Sequence, residues 1–474
     1  MKAQLTFLSE SEVQEIHEAT LTVLEKTGVK VHSEAVLSHL GKAGAKVEGD
    51  RVRFPKEMIK EAIAQINREV FFAAREERYD FRIPTGSRTF NSTSGYSPFI
   101  YDEPFGKRRN TTAQDLATIA KLCGAIDEVD FFWPIAMPTE ETAPEMEEIS
   151  AFNTAIRHIG KHVECSCASP GAAQWQIRIA EAIAGGSEAL RKRPLFSAVA
   201  SPTTPLAFEK CTVEALPLLA RAGIPVTPMN VPLAGTTAPA TFAGTLVITN
   251  AEQLATLAIL KAYNEEAPMV YAADTGSANL KTGDVAYSNP DYDLFSIACG
   301  DLAKFYRIPA CVAHGSSEQR DFDRLSGFMH NVMRIAFSQI TATDTSVWMG
   351  SLDDSLSTSL WDIVLDAEAL RYAKIFCKEP AVNRDSLALD VIDEVGPRGE
   401  FISHQHTFDH FRKEINNLDP LDSPLLQSEE NYLAFAQEKA RTLLANAEDK
   451  PLDDAMLAEL DQYMAAARKE FDRK

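Results

Sequence analysis

One pattern repeats along most of the chain and constrains its fold more than any other feature. From about residue 129, short apolar runs rich in branched or aromatic residues recur, each followed by a polar loop and a helical stretch. Successive runs begin 30 to 43 residues apart, which is room for a strand, a loop and a helix. Eight runs occur, beginning at residues 129, 161, 194, 224, 267, 308, 346 and 387: VDFFWPIAM, KHVECSCAS, PLFSAVASP, IPVTPMNVP, APMVYAADT, IPACVAHGS, SVWMGSL and LALDVIDEV. The sequence therefore predicts eight consecutive βα units.

Eight βα units can close into a (β/α)8 barrel, the TIM barrel, or form an open doubly wound sheet. Periodicity does not separate the two. Eight is the number of strands that closes a barrel, and no G-x-G-x-x-G follows the first run, as a dinucleotide-binding open sheet would carry. We therefore predict an α/β TIM barrel over residues 129–400.

The segments on either side of the predicted barrel read as packing elements. Residues 1–128 contain a helix that ends at Gly28, a hairpin turning at Gly49-Asp50, and a second hairpin before a helix whose capping box is Thr112 and Asp115. Residues 401–474 contain a loop and two capped helical stretches that strap the barrel or meet another subunit. We expect a homo-oligomer.

Charge and composition exclude several classes of partner. Lys plus Arg is 47 and Asp plus Glu is 68, so the formal charge of −21 repels nucleic acid and anionic membranes. The N-terminus lacks the basic start and apolar stretch of a secretory signal, and no run of about 18 apolar residues is free of charge. We expect a cytoplasmic protein. The seven cysteines are scattered, and Cys165 and Cys167 alternate as on one face of a strand rather than as metal ligands.

In a TIM barrel the loops at the carboxyl ends of the strands build the functional site. The polar segment HGSSEQRDFD, residues 314–323, would be such a loop after the sixth strand, although an ordinary solvated loop explains it equally well. No serine nucleophile elbow, H-E-x-x-H or P-loop occurs, we expect no resident metal, and the catalytic residues are not identified. The other strand ends carry Trp133, Asn230, Tyr271, Asp274 and Trp348, and His404 and His406 follow the eighth.

Three stretches together resemble the trimethylamine methyltransferase family. They are IHEATLTVLEKTGVKVHSEAVLSHLGKAGAKVEGDRVRFP, SGYSPFIYDEPFGKRRNTTAQDLATIAKLCGAIDEVDFF and HTFDHFRKE, and the resemblance covers nearly the whole chain. It implies a (β/α)8 barrel that moves a methyl group from a methylated amine to the Co(I) of a corrinoid (cobalamin) on a separate protein. Family members with pyrrolysine carry it within or beside residues 314–323, where this chain has only standard residues. The departure suggests a quaternary amine such as glycine betaine, with proline betaine or carnitine as alternatives.

A quaternary ammonium already has a neutral amine as its leaving group, so its methyl group can be transferred without a general acid. It cannot donate an N–H hydrogen bond, and aromatic faces recognise it at about 0.5 to 2 kcal/mol per ring. Each aromatic at the site is also a side chain that could simply pack in the core. The candidates for an aromatic cage are Trp348, Tyr271, Trp133, Tyr96 and Phe99.

A betaine also carries a carboxylate, which needs hydrogen-bond donors. The candidates are Arg320, His314, Asn230 and His404, although Arg320 could instead pair with a neighbouring aspartate. Two acidic residues, Glu318 and Asp274, could support the positive charge of the substrate, and His406 is expected to face the corrinoid.

Two rival functions remain open. A non-catalytic betaine-binding protein would use the same cage. An aldolase-like barrel enzyme would need a lysine near the carboxyl end of a strand, and none of the eight runs has one there.

Overall fold

A computed structural model of the chain describes residues 5–86, 88–103, 106–141, 143–287, 289–312, 334–341, 343–375, 381–415, 429–447 and 452–471. The fold is mixed α/β, in which parallel strands alternate with helices over the middle of the chain.

The helices follow the amphipathic stretches of the sequence closely. The spacing of the apolar residues predicts a helix over residues 144–158, and the helix Pro144–His158 has these bounds, because proline at the first position starts it and the apolar spacing fixes its length. A π-helical turn covers Val23–Thr27, a 3-10 turn covers Glu77–Tyr79, and residues 334–340 are helical. The α-helices are α1 (Glu10–Thr22), α2 (Glu34–Lys42), α3 (Lys56–Ala64), α4 (Ala113–Ala125), α5 (Pro144–His158), α6 (Pro170–Ala184), α7 (Ser187–Lys192), α8 (Lys210–Ala222), α9 (Phe242–Tyr263), α10 (Pro290–Tyr306), α11 (Leu360–Ile375), α12 (Arg384–Leu387), α13 (Leu389–Val395), α14 (Gln405–Glu414), α15 (Glu429–Asn446) and α16 (Asp454–Phe471).

The strands are short, and each of the second to seventh predicted apolar runs overlaps one strand of a parallel sheet. They are β1 (Val29–Val31), β2 (Lys46–Glu48), β3 (Arg51–Arg53), β4 (Val70–Phe72), β5 (Phe81–Ile83), β6 (Phe90–Thr93), β7 (Phe99–Tyr101), β8 (Arg108–Asn110), β9 (Val163–Ser166), β10 (Phe196–Val199), β11 (Ala207–Phe208), β12 (Val226–Thr227), β13 (Leu233–Ala234), β14 (Tyr271–Ala273), β15 (Gly276–Ser277), β16 (Ala310–Val312), β17 (Thr345–Met349) and β18 (Ser357–Thr358).

Two parallel sheets form the centre of the molecule. One has the strand order β12-β10-β9 and the other the order β14-β16-β17-β6. A parallel bridge between Val226 and Met269 links β12 to the segment that leads into β14. At the other edges, Phe132 bridges to Val163, and the Asp130 amide donates to the Asn91 carbonyl over 2.7 Å. Single bridges and separate hydrogen bonds therefore connect the two sheets, rather than a continuous ladder.

The predicted eighth strand is wrong. Residues 387–395 lie in α12 and α13, which contain no buried residue, and the strand that pairs with β17 is instead β6. A short apolar run fits a helix or a strand equally well, so periodicity could not decide there. The sequence FNST of β6 was not predicted as a strand because three of its four residues are polar. The boundaries 1–128, 129–400 and 401–474 stay predictions.

Both predicted N-terminal hairpins are confirmed. β2 pairs antiparallel with β3 around Gly49, whose φ of +61° suits glycine, and β7 pairs antiparallel with β8. The capping box of Thr112 and Asp115 at the start of α4 is confirmed as well.

The two C-terminal helices pack against other helices of this chain, as expected from the first of the two alternatives, in which they strap the barrel. α15 packs on α4 and α11, and α16 packs on α5 and α6. Polar contacts fix α16: the Arg157 guanidinium lies 2.8 Å from the Asp461 carboxylate, and the Trp175 indole donates to Glu470 over 3.2 Å.

One helix, α9, is long and apolar enough by length and composition to cross a membrane. Within the protein, 78% of its most apolar 18-residue window is buried. Its polar residues also bond to the rest of the fold: Asn250 donates to Thr20 and Tyr306, and Gln253 donates to Pro228 O over 2.7 Å. In this structure α9 is a core helix.

Two buried ionisable side chains, Lys161 and Asp366, make hydrogen bonds between helices and the strand segments beside them. The Lys161 ammonium donates to three backbone carbonyls, those of Cys123, Ile126 and Val129, over 2.6 to 2.8 Å, and thereby caps the end of α4. On α11, Asp366 accepts a 2.7 Å hydrogen bond from the Gly350 amide. Burial raises the pKa of Asp366 to about 7.

Candidate functional site

The strands divide the apolar side chains into two separate clusters. Successive side chains of a strand point to opposite faces, so Val270 and Ala272 lie in one cluster while Tyr271 and Ala273 lie in the other. The larger cluster contains the residues packed against the helices, and we call it the outer core. We call the smaller one the inner cluster: Val70, Phe72, Phe81, Ile83, Phe90, Phe131, Trp133, Val199, Met229, Val270, Ala272, Cys311 and Val347.

The hairpin of β4 and β5 covers the amino-terminal side of the inner cluster. Phe72 and Phe81 stack at 4.9 Å between ring centroids, and Phe81 stacks at 4.1 Å on Phe90, the first residue of β6. A third ring, Phe131, lies 5.9 Å from both hairpin rings. Since aromatic side chains fill this side, the candidate site lies toward the carboxyl ends of the strands.

Trp133 is the predicted cage residue that belongs to the inner cluster. It is 9% exposed, and its backbone amide donates to the Ser92 hydroxyl over 3.0 Å. The indole N–H is buried and has no hydrogen-bond partner among the described residues. Gly95 provides the space for the ring, because a Cβ there would lie only 2.3 Å from Trp133 Cε2.

A polar group lies at the carboxyl end of β14, around the predicted Asp274. The Tyr292 hydroxyl donates to one carboxylate oxygen of Asp274, and the Tyr287 hydroxyl donates to the other over 3.4 Å. Arg334 lies over the Tyr292 ring, 5.7 Å from its centroid. Burial raises the pKa of Asp274, while the two phenol donors act in the opposite direction. A Cβ at Gly276 would lie 2.9 Å from Tyr292, so that glycine leaves room for the ring.

A second carboxyl, Glu164, is buried between β9, β10 and β12. Its Oε2 lies 3.0 Å from the Ser197 hydroxyl oxygen and accepts a hydrogen bond from the Thr227 hydroxyl over 2.8 Å. Its Oε1 has no partner among the described residues. Glu164 is 1% exposed, and burial raises its pKa to about 7 against the effect of both hydroxyl donors.

Three predicted residues point away from the inner cluster. The Tyr271 hydroxyl donates to Asn250 on α9 over 3.3 Å, and the Trp348 indole donates to Asn91 over 3.4 Å on the helix-facing side of the strands. The Asn230 amide donates to Glu252 on α9 over 2.6 Å, and its oxygen accepts from Gln253. Their polar atoms serve the packing of strands on helices.

The two remaining aromatic candidates have partners of their own. The Tyr96 hydroxyl lies 3.7 Å from the Cys165 sulfur, in contact with the outer core, and burial raises the pKa of Tyr96. The Phe99 ring lies on β7, and the Arg108 guanidinium of β8 covers it at 4.2 Å. One face of Phe99 therefore already binds a cation from this chain.

Of the two predicted C-terminal histidines, His404 directly precedes α14 and His406 lies within it. His404 caps that helix by accepting from the His406 amide over 3.0 Å, and its Nε2 lies 3.4 Å from Glu394. His406 stacks on His410 with ring centroids 4.2 Å apart. The predicted His314, Glu318 and Arg320 lie outside the described residues.

Sequence reasoning missed Glu164, Tyr287 and Tyr292. A lone carboxylate inside the apolar run KHVECSCAS was a usable signal, because an unpaired buried charge is costly and calls for an explanation. The two tyrosines follow β14 within a polar loop and at the start of α10, and no sequence pattern places them beside Asp274.

Among the described residues, no group of three or more His, Cys, Asp or Glu has the arrangement of a metal site. Cys165 and Cys167 are both buried in the outer core as free thiols. The prediction of no resident metal stays a prediction.

Comparison with known proteins agrees with the sequence resemblance. A family model described as trimethylamine methyltransferase (MTTB) matches residues 1–472. Glycine betaine methyltransferase of Desulfitobacterium hafniense strain Y51 is 27% identical over 98% of this chain and 97% of its own length. Trimethylamine methyltransferase MttB from D. hafniense strain DSM 10664 / DCB-2 is 27% identical over 89% of this chain and 85% of its own.

Among solved structures, a dihydropteroate synthase from Coxiella burnetii is 14% identical to the chain and covers 64% of it and 98% of its own length, with a TM-score of 0.37. A similarity this weak carries no inference about fold or substrate.

Proposed function

Because the chain belongs to the trimethylamine methyltransferase family, we propose that it transfers a methyl group from a quaternary amine, with glycine betaine favoured, to the cobalt of a corrinoid carried by a separate protein. Methyl transfer from methylated amines is the activity that the names of its relatives share. The choice of a betaine rests on the standard residues at 314–323 and on the geometry around Trp133.

We also propose that the linked strands form a closed (β/α)8 barrel, in which β6 and residues 130–133 are the first two strands. The bridges from Phe132 to Val163 and from Val226 to Met269 support this closure, as does the pairing of β17 with β6. The inner cluster then fills the barrel, and the hairpin of β4 and β5 plugs its amino-terminal end. Substrate would enter from the carboxyl ends, where active sites of such barrels lie.

The single observation that carries the choice of substrate is Trp133. Its ring can bind a quaternary ammonium by its face, at about 0.5 to 2 kcal/mol. Its buried N–H is a donor without a partner, and such a group is costly to leave unsatisfied. Glycine betaine carries its ammonium and carboxylate one methylene apart, so one indole can contact both.

In the reaction, this chain binds the substrate, orients its methyl group and excludes water from around it. The corrinoid, when docked, supplies a Co(I) nucleophile that takes the methyl group. Aromatic and aliphatic walls such as Trp133, Met229 and Val199 exclude water, and Asp274, which accepts hydrogen bonds from Tyr287 and Tyr292, places a carboxylate near the strand ends. No protein group needs to protonate the leaving amine, because a quaternary ammonium that loses a methyl group becomes a neutral tertiary amine.

The test is to mix the purified chain with a Co(I) corrinoid protein and glycine betaine and follow the visible spectrum. Loss of the Co(I) absorbance with formation of dimethylglycine is the expected result. Binding of the betaine without turnover would favour the rival function of a betaine-binding protein. Neither binding nor turnover with glycine betaine, proline betaine, carnitine, choline and trimethylamine would reject the proposal.

The contribution of the indole N–H is tested with W133F, which keeps an aromatic face and removes the donor. We expect weaker binding of glycine betaine, by about tenfold for one lost hydrogen bond of about 1.4 kcal/mol. Tetramethylammonium has no carboxylate, so its affinity should change much less. An equal loss for both ligands would contradict the assigned contact.

A cytoplasmic location, the absence of nucleic acid and membrane partners, and self-association are part of this proposal. They rest on the charge of −21 and on the appended helices.

A further inference from the structure

The hydrogen bonds around Glu164 require one more proton than a neutral histidine and an ionised carboxylate supply. His162 Nδ1 lies 2.8 Å from the Ala73 carbonyl oxygen, which can only accept, so this nitrogen carries a hydrogen. His162 Nε2 lies 3.0 Å from Ser197 Oγ, and Ser197 Oγ lies 3.0 Å from Glu164 Oε2. Ser197 has a single hydroxyl hydrogen for these two contacts.

If both His162 Nε2 and Glu164 Oε2 were without hydrogen, one of the two contacts would join two acceptors. Both contacts become hydrogen bonds when one additional proton is present, either on the histidine or on the glutamate. His162 is fully buried, and the Phe72 ring lies 4.7 Å from it at a steep angle. Burial lowers the pKa of His162 to about 4, so the proton belongs on Glu164.

Glu164 and Trp133 share the same space. Phe132 bridges to Val163 on the neighbouring parallel strand, so Trp133 and Glu164 occupy the next paired positions and face the same side. The strand backbones at such a pair lie about 4.8 Å apart. Trp133 Nε1 and Glu164 Oε1 are both buried and without partner among the described residues. A ligand that contacts the indole therefore reaches the carboxyl.

Building on the proposed function, we propose that Glu164 determines specificity for the cationic end of the substrate: it is a neutral carboxylic acid in the unliganded protein and becomes a carboxylate when a quaternary ammonium binds beside Trp133. One proton passes to solvent as each ligand binds. The unliganded protein thus avoids an uncompensated buried charge, while the complex gains an ion pair.

Asp274, at the carboxyl end of β14, has both carboxylate oxygens hydrogen-bonded to Tyr287 and Tyr292, and the other titratable groups near Glu164 are neutral. They are His162, which directly precedes β9 and is neutral, and Cys165 on β9, whose thiol pKa is raised by burial. Across the interior, Cys311 of β16 interacts electrostatically with both Glu164 and Asp274, and burial raises its thiol pKa too. Both thiols are therefore neutral over the pH range in which Glu164 titrates.

Neither the ammonium nor the carboxylate of glycine betaine titrates near neutral pH, so the pH dependence of binding reports on the protein. Below the Glu164 pKa of about 7, the affinity should fall about tenfold for each pH unit, and above it the affinity should be constant. Calorimetry in two buffers of different ionisation enthalpy should show release of about one proton per bound betaine at low pH.

The matched variants are E164Q and E148Q. Glutamine at 164 keeps hydrogen-bonding groups for Ser197 and Thr227 but cannot ionise, so its betaine affinity should lose the pH dependence. Glu148 also has a pKa raised by burial to about 7, but it lies on α5 and accepts from the Ala168 amide at 3.1 Å. The E148Q variant should keep the wild-type pH dependence.

Infrared difference spectroscopy of the unliganded protein provides a readout that needs no turnover. Glu148 and Asp366 also have raised pKa values, so the readout is the wild-type minus E164Q difference spectrum at pH 6. It should contain a carboxylic-acid carbonyl band that is lost when betaine binds. If wild type and E164Q show no difference in this region, or if the band persists in the complex, the inference is rejected while methyl transfer stands. If the band is present but no amine binds at any pH, the specificity role and the proposed function both fail.

Discussion

Replacement of Gly95 by alanine tests the position of the Trp133 ring without altering the tryptophan itself. The added Cβ would lie 2.3, 2.4 and 2.8 Å from three carbons of the indole, whereas ordinary contact begins near 3.4 Å. The difference, 3.4 − 2.3 = 1.1 Å, is the distance by which the ring or the backbone must move. Gly95 does not have a positive φ, so the conflict is steric alone.

Overpacking of this size costs about 1 to 3 kcal/mol of folding free energy. A ring displaced by about 1 Å also loses part of its attraction for an ammonium, up to about 2 kcal/mol, or a factor of about 30 in Kd. We expect G95A to lower both the free energy of unfolding, measured by denaturant titration, and the affinity for glycine betaine, measured by calorimetry.

A matched control is G124A on α4, where a new Cβ would lie 3.7 Å from Ile159 and meet no closer atom. Alanine there should stabilise the helix by about 0.5 to 1 kcal/mol and leave the affinity unchanged. In a W133L background the clashing ring atoms are gone, so G95A should add little destabilisation. Wild-type stability and affinity in G95A would refute the placement of the indole and its role in the site.

Three further predictions concern residues outside the inner cluster. K161M removes the donor to three buried carbonyls, so the free energy of unfolding should fall by about 2 to 4 kcal/mol in guanidinium titrations. Y271F loses the 3.3 Å hydrogen bond to Asn250 and should cost about 1 kcal/mol of stability, yet its betaine Kd should match wild type; a raised Kd would place Tyr271 in the site after all. Burial raises the pKa of Asp366 to about 7 and also that of the neighbouring Asp362, so their contribution to stability is present at acidic pH and is lost as the pH rises through these raised values. D366N keeps an acceptor for the Gly350 amide and should reduce that slope in unfolding measurements at several pH values, with Asp362 contributing the remainder.

The location of the site depends on which residues of each strand face the inner cluster, and the sequence alone does not determine this assignment. Tyr271 and Trp133 both lie in apolar runs at predicted strand ends, and both are candidates for the cage from the sequence, with Tyr271 placed ahead of Trp133. Alternation along a strand has period two, so a shift of one residue exchanges the two faces. Only the pairing of the strands places Trp133 inside and turns Tyr271 toward α9.

Local signals were sufficient for most of the helices and for the rhythm of the strands. Pro144–His158 is specified by its own proline and apolar spacing, and the box at Thr112 and Asp115 by a four-residue pattern. These features involve neighbours in the chain, so the sequence alone determines them. The family resemblance likewise rests on residues in order and spacing along the chain.

Tertiary structure decided the elements whose residues are satisfied by distant partners. β6 is polar in sequence, yet Asn91 accepts from Trp348 and Gln339, and Ser92 accepts from the Trp133 amide, so these side chains can be buried. Glu164 looks like an unpaired charge until Ser197 and Thr227 approach from two other strands. Periodic apolar patterns fix local conformation, whereas the burial of a polar group depends on hydrogen-bond partners that only the folded chain brings together.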